Sequence, residues 1–473
     1  MSDSAVEARK PAAHLMTLGC ARNEVDSEEL AARLVGDGWR IADEGDANEP
    51  GDVVVINTCG FVAAAKQESI DEILAAADAD TPVVAVGCLA ERYGEQLAAE
   101  LPEAAAVIGF DGYDELPDTL RRVAAGESID SHAPRDRREL LPISPVERPD
   151  RMVPPGHAGA TVAVDLPGTT ILRTRLDNSP VAPLKIASGC DRRCAFCAIP
   201  RFRGSFLSRR PGEILDEARW LAEQGVRELV LVSENSTSYG KDLGQPRLLE
   251  EVLPELDQVS GIDRIRVTYL QPAELRPTLI EAMVATPSVA NYFDISFQHA
   301  SGPLLRSMRR FGDHDSFLEL IANVRRLAPD AGIRSNVIVG FPGETDEDLA
   351  VLEQFLTSAE LDAVGVFGYS PEDGTEAAEL PGQIDPDVIS ARVEQISSLA
   401  EHLTANRAQD RIGATTKLLV TATSPDGVSG SAEFQGPEDG DLSVPEPLSP
   451  GDLVSVRLVS ASGVDLAGEV VPE

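Results

Sequence analysis

The amino-terminal part of the chain alternates short apolar runs with longer segments whose apolar residues recur at helical spacing. The apolar runs lie at residues 15–18, 53–56 and 83–86, and the helical segments that follow them lie at 26–35, 62–77 and 91–100. A strand followed by a helix, repeated along the chain, predicts a parallel α/β sheet. We therefore expect an amino-terminal α/β sandwich domain at residues 11–125.

A second alternating region at residues 184–412 predicts a larger parallel domain. The predicted strands lie at 184–187, 228–232, 264–268, 292–297, 334–339 and 363–369, and the clearest helices lie at 211–224 and 248–256. About six strand and helix units are too few for an eightfold barrel, so the pattern predicts a partial (β/α)6 barrel. Active sites in such barrels lie at the carboxyl ends of the strands.

Two further segments differ in character from these domains. Residues 126–183 are rich in proline and mixed charge, which predicts a disordered linker with short pairing segments at 161–164 and 170–173. Residues 413–473 predict a small β-barrel, with short strands at 416–422, 453–459 and 465–471 separated by glycine and proline turns.

Length and charge narrow the class of protein. A chain of 473 residues is long enough for two or three domains. Its apolar runs are shorter than the roughly 18 residues that a membrane-spanning helix needs, and residues 1–10 lack the apolar core of a signal peptide. We therefore expect a cytoplasmic protein without a membrane partner. The net charge of −38 argues against non-specific binding to nucleic acid, although an acidic surface also serves solubility alone.

The most informative chemistry is a cysteine triplet with the spacing Cys-x-x-x-Cys-x-x-Cys, formed by Cys190, Cys194 and Cys197. A 4Fe-4S cluster usually has four cysteine ligands, so a loop with three leaves one iron open to a small molecule. The alternatives are a zinc site, which usually has a fourth ligand and paired cysteines, and a set of buried structural cysteines. Neither alternative explains the tight spacing.

The remaining cysteines, Cys20, Cys59 and Cys88, each follow a predicted strand of the first domain. Because the carboxyl ends of parallel strands lie along one edge of a sheet, three cysteines far apart in sequence can meet there. We expect a second cluster with its own open iron. The alternative is that three small residues are merely tolerated at strand ends. A reducing compartment suits all six thiols.

At this point the chain resembles the radical S-adenosylmethionine methylthiotransferases, and among them the RimO type. The resemblance covers nearly all of the chain and rests on the two cysteine triplets and five further motifs. These motifs are residues 17–28 (TLGCARNEVDSE), 57–62 (NTCGFV), 297–301 (FQHAS), 340–345 (GFPGET) and 369–375 (YSPEDGT). Two departures are a longer linker and Phe311, which stands where the family usually has proline.

The resemblance implies a fold, cofactors and a reaction. The implied domains are an amino-terminal cluster domain, a radical domain and a terminal barrel called TRAM. The implied reaction replaces a hydrogen on the β-carbon of an aspartate in small-subunit ribosomal protein S-twelve with a methylthio group. It uses two 4Fe-4S clusters and S-adenosylmethionine, because an unactivated carbon–hydrogen bond requires a cofactor radical. An electron donor such as flavodoxin or ferredoxin is expected, and the implied substrate is S-twelve, either free or in the ribosomal subunit.

Several residues are weaker candidates for binding S-adenosylmethionine. They are Phe196 in the cysteine loop, Ser233 and Glu234 after a strand at the barrel mouth, and Gly340 and Gly343, where the backbone can approach the adenine. A capped strand end and an ordinary turn are the alternatives.

Charged residues beside these candidates have two interpretations. Six arginines form a basic group around the second triplet, which either receives carboxylates or forms plain ion pairs: Arg192, Arg193, Arg201, Arg203, Arg209 and Arg210. His299 either contacts substrate or is a satisfied barrel histidine.

Two other functions compete with this interpretation. Related methylthiotransferases modify an adenosine of transfer RNA. The last 60 residues argue against that substrate, because from residue 414 they carry two basic and ten acidic side chains, a net charge of −8. The other competitor is an iron–sulfur electron carrier or scaffold, which should saturate its irons with protein ligands.

Overall fold

The structure of the protein, a computed structural model, describes residues 9–42, 52–77, 81–137 and 173–472. The chain divides into two compact units. The first contains the residues up to 177 together with Ile199–Ser205, and the second contains Asn178–Ala198 and the chain from Phe206 onward. The predicted pairing segment at 161–164, and all of 170–173 except its last residue, lie outside the described residues.

The first unit is a parallel α/β domain, as predicted. Its strands are β1 (Ala12–Thr17), β2 (Arg40–Ala42), β3 (Val53–Thr58), β4 (Val83–Val86) and β5 (Ala104–Val107). Its helices are α1 (Ala21–Gly36), α2 (Ala63–Ala77), α3 (Gly87–Glu100), α4 (Leu116–Ala124) and the short α5 (Ile199–Arg203). All the strand pairs are parallel and their order is β2-β1-β3-β4-β5. Ile56 of β3 and Val83 and Ala85 of β4 pack with Ile73 and Leu89 in the core.

Both described ends of the predicted linker contact this unit. Arg137 donates to Glu91 at 2.5 Å and to Asp111 at 2.8 Å. Arg173 pairs with Glu28, and Thr174 donates its backbone N–H to the Glu28 carbonyl. The first unit therefore extends beyond residue 125 at these two ends. The domain limits themselves stay a prediction.

The second unit contains six parallel strands, which confirms the partial barrel, and one short antiparallel pair of strands. Its strands are β6 (Val181–Lys185), β7 (Ala187–Ser188), β8 (Leu207–Ser208), β9 (Glu228–Val232), β10 (Arg264–Val267), β11 (Tyr292–Asp294), β12 (Gly332–Val339) and β13 (Ala363–Gly368). Its helices are α6 (Pro211–Glu223), α7 (Leu248–Leu256), α8 (Pro277–Ala285), α9 (Gly302–Ser307), α10 (His314–Leu327), α11 (Asp346–Ala359), α12 (Glu376–Glu379) and α13 (Pro386–Asp410).

The six barrel strands form two three-stranded sheets, β10-β9-β6 and β11-β12-β13. A parallel bridge between Leu270 and Ile295 joins the ends of β10 and β11. The predicted strand at 184–187 is in fact two elements. It starts earlier, at Val181 of β6, and β7 is a separate short strand that pairs antiparallel with β8.

The carboxy-terminal residues of this unit form a closed five-stranded barrel, as predicted. Its strands are β14 (Thr415–Ser424), β15 (Gly427–Ala432), β16 (Leu442–Val444), β17 (Leu453–Ser462) and β18 (Asp465–Val470). Their order around the barrel is β14-β15-β16-β18-β17. The sequence did not indicate β15 and β16, because β15 is rich in glycine and serine and β16 is only three residues long.

Buried charges attach this barrel to the parallel strands. Arg264 donates to the carbonyl of Ser431 at 3.0 Å, and Arg266 donates to the carbonyl of Glu433 at 2.9 Å. Glu228 lies between the two arginines and accepts from Arg266 at 2.8 Å. The barrel is therefore held by directional bonds as well as by apolar contact.

Within the part of the chain that the structure describes, no helix combines the length and the apolar character needed to cross a lipid bilayer.

Candidate functional site

Cys20, Cys59 and Cys88 lie at one edge of the first unit's sheet. The strands that lead to them, β1, β3 and β4, are neighbours, and Thr17 pairs with Asn57, which pairs with Val86. Each cysteine follows its strand by one to three residues. Parallel neighbouring strands thus bring together three cysteines that are 39 and 29 positions apart in sequence.

The backbone around these cysteines is tightly packed. Cys59 donates its N–H to Ser69 Oγ at 3.0 Å, and the same hydroxyl donates to the Cys59 carbonyl. Gly87 precedes Cys88 with φ at +89°, and a Cβ there would lie 2.2 Å from Asn57 Oδ1. Only glycine fits this position without displacing β3.

An asparagine pair connects the ends of the strands. Asn57 donates to the main-chain carbonyl of Asn23 and to Ser27 Oγ, both at 2.9 Å. Asn23 donates to the carbonyls of Leu18 at 2.8 Å and Thr58 at 3.2 Å. Those carbonyls belong to the segments that lead into Cys20 and Cys59. Asn23 lies within the motif at 17–28, but the sequence does not indicate that its side chain joins the strand ends.

Burial dominates the electrostatics of this triplet. Burial raises the pKa of the Cys59 thiol, and it raises the pKa of Cys88 to about 11 even though the nearby Arg203 guanidinium lowers it. The negative charges of the other two cysteines of this triplet also raise the pKa of Cys88. Cluster binding requires thiolates, so occupancy of this site releases protons.

The second triplet lies on the loop that follows β7, in the second unit. The backbone N–H of Ala195 donates to the Met308 carbonyl at 3.0 Å, and the Ala195 carbonyl accepts from Ala377 at 2.8 Å. Asp191 accepts the N–H of Phe206 at 3.0 Å. The loop is thus fixed by the chain after α9 and by α12, the helix that directly follows the motif at 369–375.

Polar groups also face the sulfurs of this loop. The Arg192 N–H donates to Cys190 Sγ at 3.4 Å, and Arg310 Nη1 lies 3.8 Å from Cys194 Sγ. Burial raises the pKa of the Cys190 thiol to about 12, and the negative charges of Cys194 and Glu234 raise it as well. No sequence motif indicated that Arg310 lies near a cysteine, although its neighbour Phe311 departs from the family pattern.

A carboxylate that the sequence did not reveal joins the cysteine loop to the strand ends. Glu274, after β10, pairs with Arg192 and with Lys241, both at 2.6 Å. It also accepts from Ser238 at 2.7 Å and Asn235 at 3.0 Å. Burial alone would raise the pKa of Glu274, but these hydrogen bonds and the charge of Arg192 lower it to about 2. Glu274 is therefore ionised at neutral pH.

The predicted cofactor residues at the strand ends lie beside this network. Ser233 is buried and contacts Ser236 Oγ at 3.0 Å, and it accepts the N–H of Asn235. Glu234 acts electrostatically on Cys190. Phe196 packs against the unit's core. The structure thus places Ser233, Glu234 and Phe196 near the second triplet, and their role in binding stays a prediction.

The two predicted glycines differ in their surroundings. Gly340 has φ at +80°, and a Cβ there would lie 2.6 Å from Ile389 Cγ1 of α13. Packing of that helix is therefore a sufficient reason for Gly340. Gly343, at φ +82°, would place a Cβ in open space, which is compatible with the approach of a ligand.

His299 is fully buried in a polar network. The N–H of Ser301 donates to His299 Nδ1 at 3.0 Å, so the ring proton lies on Nε2, which donates to Glu344 at 3.1 Å. Glu344 also accepts from Arg392 at 2.7 Å. Both ring nitrogens of His299 thus have hydrogen-bond partners inside the protein. This favours the second interpretation, a structural histidine of the barrel.

Ion pairing accounts for most of the basic group around the second triplet. Arg192 pairs with Glu274, Arg209 with Glu217 at 2.7 Å, and Arg203 with Asp26 at 3.1 Å. Arg203 belongs to the first unit, where it serves the first triplet. Arg193 is exposed.

Both triplets fit an iron–sulfur cluster by their donor chemistry. All six cysteines are free thiols. The charges of Cys20 and Cys59 act on Cys88, and the charge of Cys194 acts on Cys190. Among the described residues, histidine, cysteine and acidic side chains do not group in threes around a position for one metal ion. Such convergence is not required here, because the cysteines of a 4Fe-4S cluster bind different irons.

Fold and site together define a radical S-adenosylmethionine enzyme with an additional cysteine domain. The sequence model of the Radical SAM superfamily matches residues 184–356, and that of the uncharacterized protein family UPF0004 matches residues 12–109.

Curated relatives identify the family. The ribosomal protein uS12 methylthiotransferase RimO of Saccharopolyspora erythraea is 58% identical over 461 residues, which cover 96% of this chain and 93% of that protein. The protein of the same name from Streptomyces coelicolor is 56% identical and covers 96% of each chain. This chain belongs to the RimO family of methylthiotransferases.

Solved structures confirm the fold at low identity. The radical S-adenosylmethionine methyltransferase TsrM from Kitasatospora setae, solved with cobalamin and a [4Fe-4S] cluster, is 14% identical with a TM-score of 0.53, over 89% of this chain and 77% of that one. The cobalamin-dependent enzyme OxsB is 11% identical with a TM-score of 0.50, over 83% of this chain and 56% of that one.

Proposed function

We propose that this protein places a methylthio group on the β-carbon of an aspartate in ribosomal protein uS12, the small-subunit protein S-twelve. The observation that carries the proposal is the full-length similarity to RimO proteins together with two cysteine triplets, one at the carboxyl ends of three parallel strands and one on the loop that follows β6 and β7. The net change at the substrate breaks one carbon–hydrogen bond and forms one carbon–sulfur bond.

The six cysteines are the proposed cluster ligands, with Cys190, Cys194 and Cys197 holding the cluster that activates S-adenosylmethionine. When bound, the clusters and S-adenosylmethionine supply the radical chemistry and the sulfur transfer that amino-acid side chains cannot perform. The protein holds the ligands. Ala195 fixes the second loop between Met308 and Ala377, and Arg192 directs its backbone N–H at a ligand sulfur.

The proposed site for S-adenosylmethionine lies at the barrel mouth. Phe196, Ser233, Glu234 and Gly343 are the proposed contacts, with Gly340 shaping the adjacent turn. Glu274 supports this site, because it is ionised and binds both Arg192 of the cysteine loop and Asn235 of the strand-end segment. An ordered mouth reduces the entropy that substrate binding must overcome.

The partners follow from the reaction and from charge. The acidic terminal barrel suits a basic protein substrate and disfavours RNA. A reductant of the flavodoxin or ferredoxin type would supply electrons, and the cytoplasm, where such donors and ribosomal proteins occur, is the proposed location. A transfer RNA substrate is the competing function, whereas membership of a methylthiotransferase family argues against a non-catalytic iron–sulfur carrier.

An anaerobic assay separates these functions. The protein is reconstituted with iron and sulfide, supplied with reductant and S-adenosylmethionine, and offered purified uS12 and transfer RNA in parallel reactions. We expect one methylthio group on uS12 by intact mass, mapped to an aspartate. Modification of the RNA alone would contradict the proposed substrate, and no cleavage of S-adenosylmethionine would favour the carrier.

A further inference from the structure

Arg203 is the one arginine of the predicted basic group whose guanidinium contacts a ligand sulfur of the first triplet. Its Nη2 atom lies 3.0 Å from Cys88 Sγ, 3.0 Å from Asn23 Oδ1 and 3.1 Å from Asp26 Oδ2. The side chains of Arg203, Asn23 and Asp26 are all buried. The bonds lie within the first unit, to which α5 belongs.

An aromatic ring and an opposite charge hold the Arg203 guanidinium in place. Its carbon lies 5.2 Å from the centre of the Phe110 ring, so the aromatic face fixes the plane of the group. Asp26 provides the opposite charge that a buried arginine needs. Phe110 and Asp26 therefore hold Arg203 in place through contacts that do not involve Cys88.

Asn23 connects this arginine to the other two cysteines. Its side-chain amide donates to the carbonyls of Leu18 and Thr58, near Cys20 and Cys59, and its oxygen accepts from Arg203. The position of the guanidinium is thus set by the same groups that fix the strand ends. Hydrogen bonds that fix a ligand from outside the metal site orient that ligand and tune the metal.

A hydrogen bond to a ligand sulfur has a known consequence for an iron–sulfur cluster. The reduction potential depends on the net charge of the site and on hydrogen bonds to the sulfurs. Arginine stays charged at all physiological pH values, so the donor is always present. A cationic donor stabilises the more negative, reduced form of the cluster.

We propose that Arg203 is a positioning residue of the first cluster, one that orients Cys88 as a ligand and raises the cluster's reduction potential through its hydrogen bond to that sulfur. This inference rests on the proposed function, in that the first triplet holds a cluster. It goes beyond that function because it assigns the control of that cluster to a residue of α5.

The test measures the first cluster alone. In the full-length chain, Cys190, Cys194 and Cys197 are replaced by alanine, and the protein is reconstituted anaerobically with iron and sulfide. Arg203→Met removes the donors at similar length, and Arg203→Lys retains the charge but removes the guanidinium. The matched control is Arg201→Met, on the same short helix, because the Arg201 side chain is 44% exposed and its ion pair with Asp136 is long, at 3.9 Å.

The readouts are iron per chain, the spectrum of the reduced cluster and its midpoint potential. We expect the potential of Arg203→Met to shift to more negative values, Arg203→Lys to lie between it and the parent, and Arg201→Met to match the parent. If Arg203→Met does not fold, judged by circular dichroism, Arg203→Lys decides on the same measurement.

Two results would overturn the inference, and they differ. An unchanged potential and iron content in both Arg203 variants would reject the role of Arg203 while leaving the cluster in place. A parent chain that binds no iron after reconstitution would instead reject the first cluster itself, and with it this part of the proposed function.

Discussion

Gly19 and Cys59 lie so close that a Cβ on Gly19 would come within 2.8 Å of the Cys59 sulfur. Gly19 precedes Cys20, so this contact joins two of the three cysteines of the first triplet. The φ of Gly19 is +95°, which side-chain-bearing residues rarely adopt. The ends of β1 and β3 thus converge at a position where only glycine fits.

Gly19→Ala should disrupt the first cluster site. The added methyl group must displace Cys59 or the chain before Cys20, so we expect about half of the wild-type iron content after reconstitution if each site holds one cluster. Iron and sulfide analysis measures this loss. Gly38→Ala is the control, since Gly38 has φ at +90° but open space around it. It should retain full iron content and lose only about 1 kcal/mol of stability from backbone strain.

Cysteine substitutions in the two triplets should abolish different steps of the reaction. Cys194→Ala should abolish cleavage of S-adenosylmethionine to deoxyadenosine, because the second triplet is the one proposed to activate it. Cys59→Ala should retain that cleavage but form no methylthio product. Chromatographic assay of deoxyadenosine and intact mass of uS12 separate the two steps. Product formation by Cys59→Ala at the wild-type rate would contradict this division of roles.

Glu228 should stabilise the attachment of the terminal barrel in a pH-dependent way. Burial alone would raise its pKa, but the charges of Arg266 and Arg264 lower it below its usual value of 4.5. Because the pKa of Glu228 is lower in the folded protein than in the unfolded chain, its negative charge stabilises the fold at pH values above the unfolded pKa. This stabilisation is lost as the pH falls through the folded pKa. We expect Glu228→Gln to lose about 3–5 kcal/mol at neutral pH, because two arginines are left without their carboxylate.

Denaturant unfolding of both proteins across the acid range checks this prediction. The difference in the free energy of unfolding between wild type and Glu228→Gln should become smaller as the pH falls below 4.5. Glu469→Gln is the control, because its pair with Arg457 is exposed and is worth about 0–1 kcal/mol. A difference that does not change with pH would contradict the assigned role of the Glu228 charge.

Glu344 should stabilise the folded protein through the hydrogen bonds that its carboxylate accepts. Glu344→Gln weakens bonds to His299, to the Gly340 N–H and to Arg392, so we expect a loss of about 1–3 kcal/mol. Thermal unfolding measures the change. Asp346→Asn is the matched control, since Asp346 binds the same arginine with an exposed carboxylate and should change stability by less than about 1 kcal/mol. Equal losses in both variants would show that burial of Glu344 is unimportant.

The periodicity of apolar residues was sufficient to predict the architecture of the chain. Val53–Thr58 and Glu228–Val232 each contain four consecutive apolar residues, and the helices after them have clear spacing of apolar residues. The cysteines could be grouped because strand ends in parallel sheets are neighbours, a rule that needs no coordinates. The short strands Gly427–Ala432 and Leu442–Val444 carried too little pattern to be recognised.

Residues that support the cysteines could not be derived from sequence. Arg203 appeared to belong with the second triplet, because it follows Cys197 by six positions, yet its side chain contacts Cys88. Glu274 lies 84 positions after Cys190 and is joined to that loop through Arg192. Such contacts depend on the packing of distant segments, which spacing along the chain does not encode.

In the proposed reaction, the aspartate β-carbon of uS12 loses a hydrogen to a radical derived from S-adenosylmethionine. This step is tested with uS12 that carries deuterium at the β-carbons of its aspartates, by mass analysis of the deoxyadenosine formed. We expect deuterium to appear in deoxyadenosine in step with methylthiolation of uS12. Methylthiolated uS12 formed alongside deoxyadenosine without deuterium would contradict it.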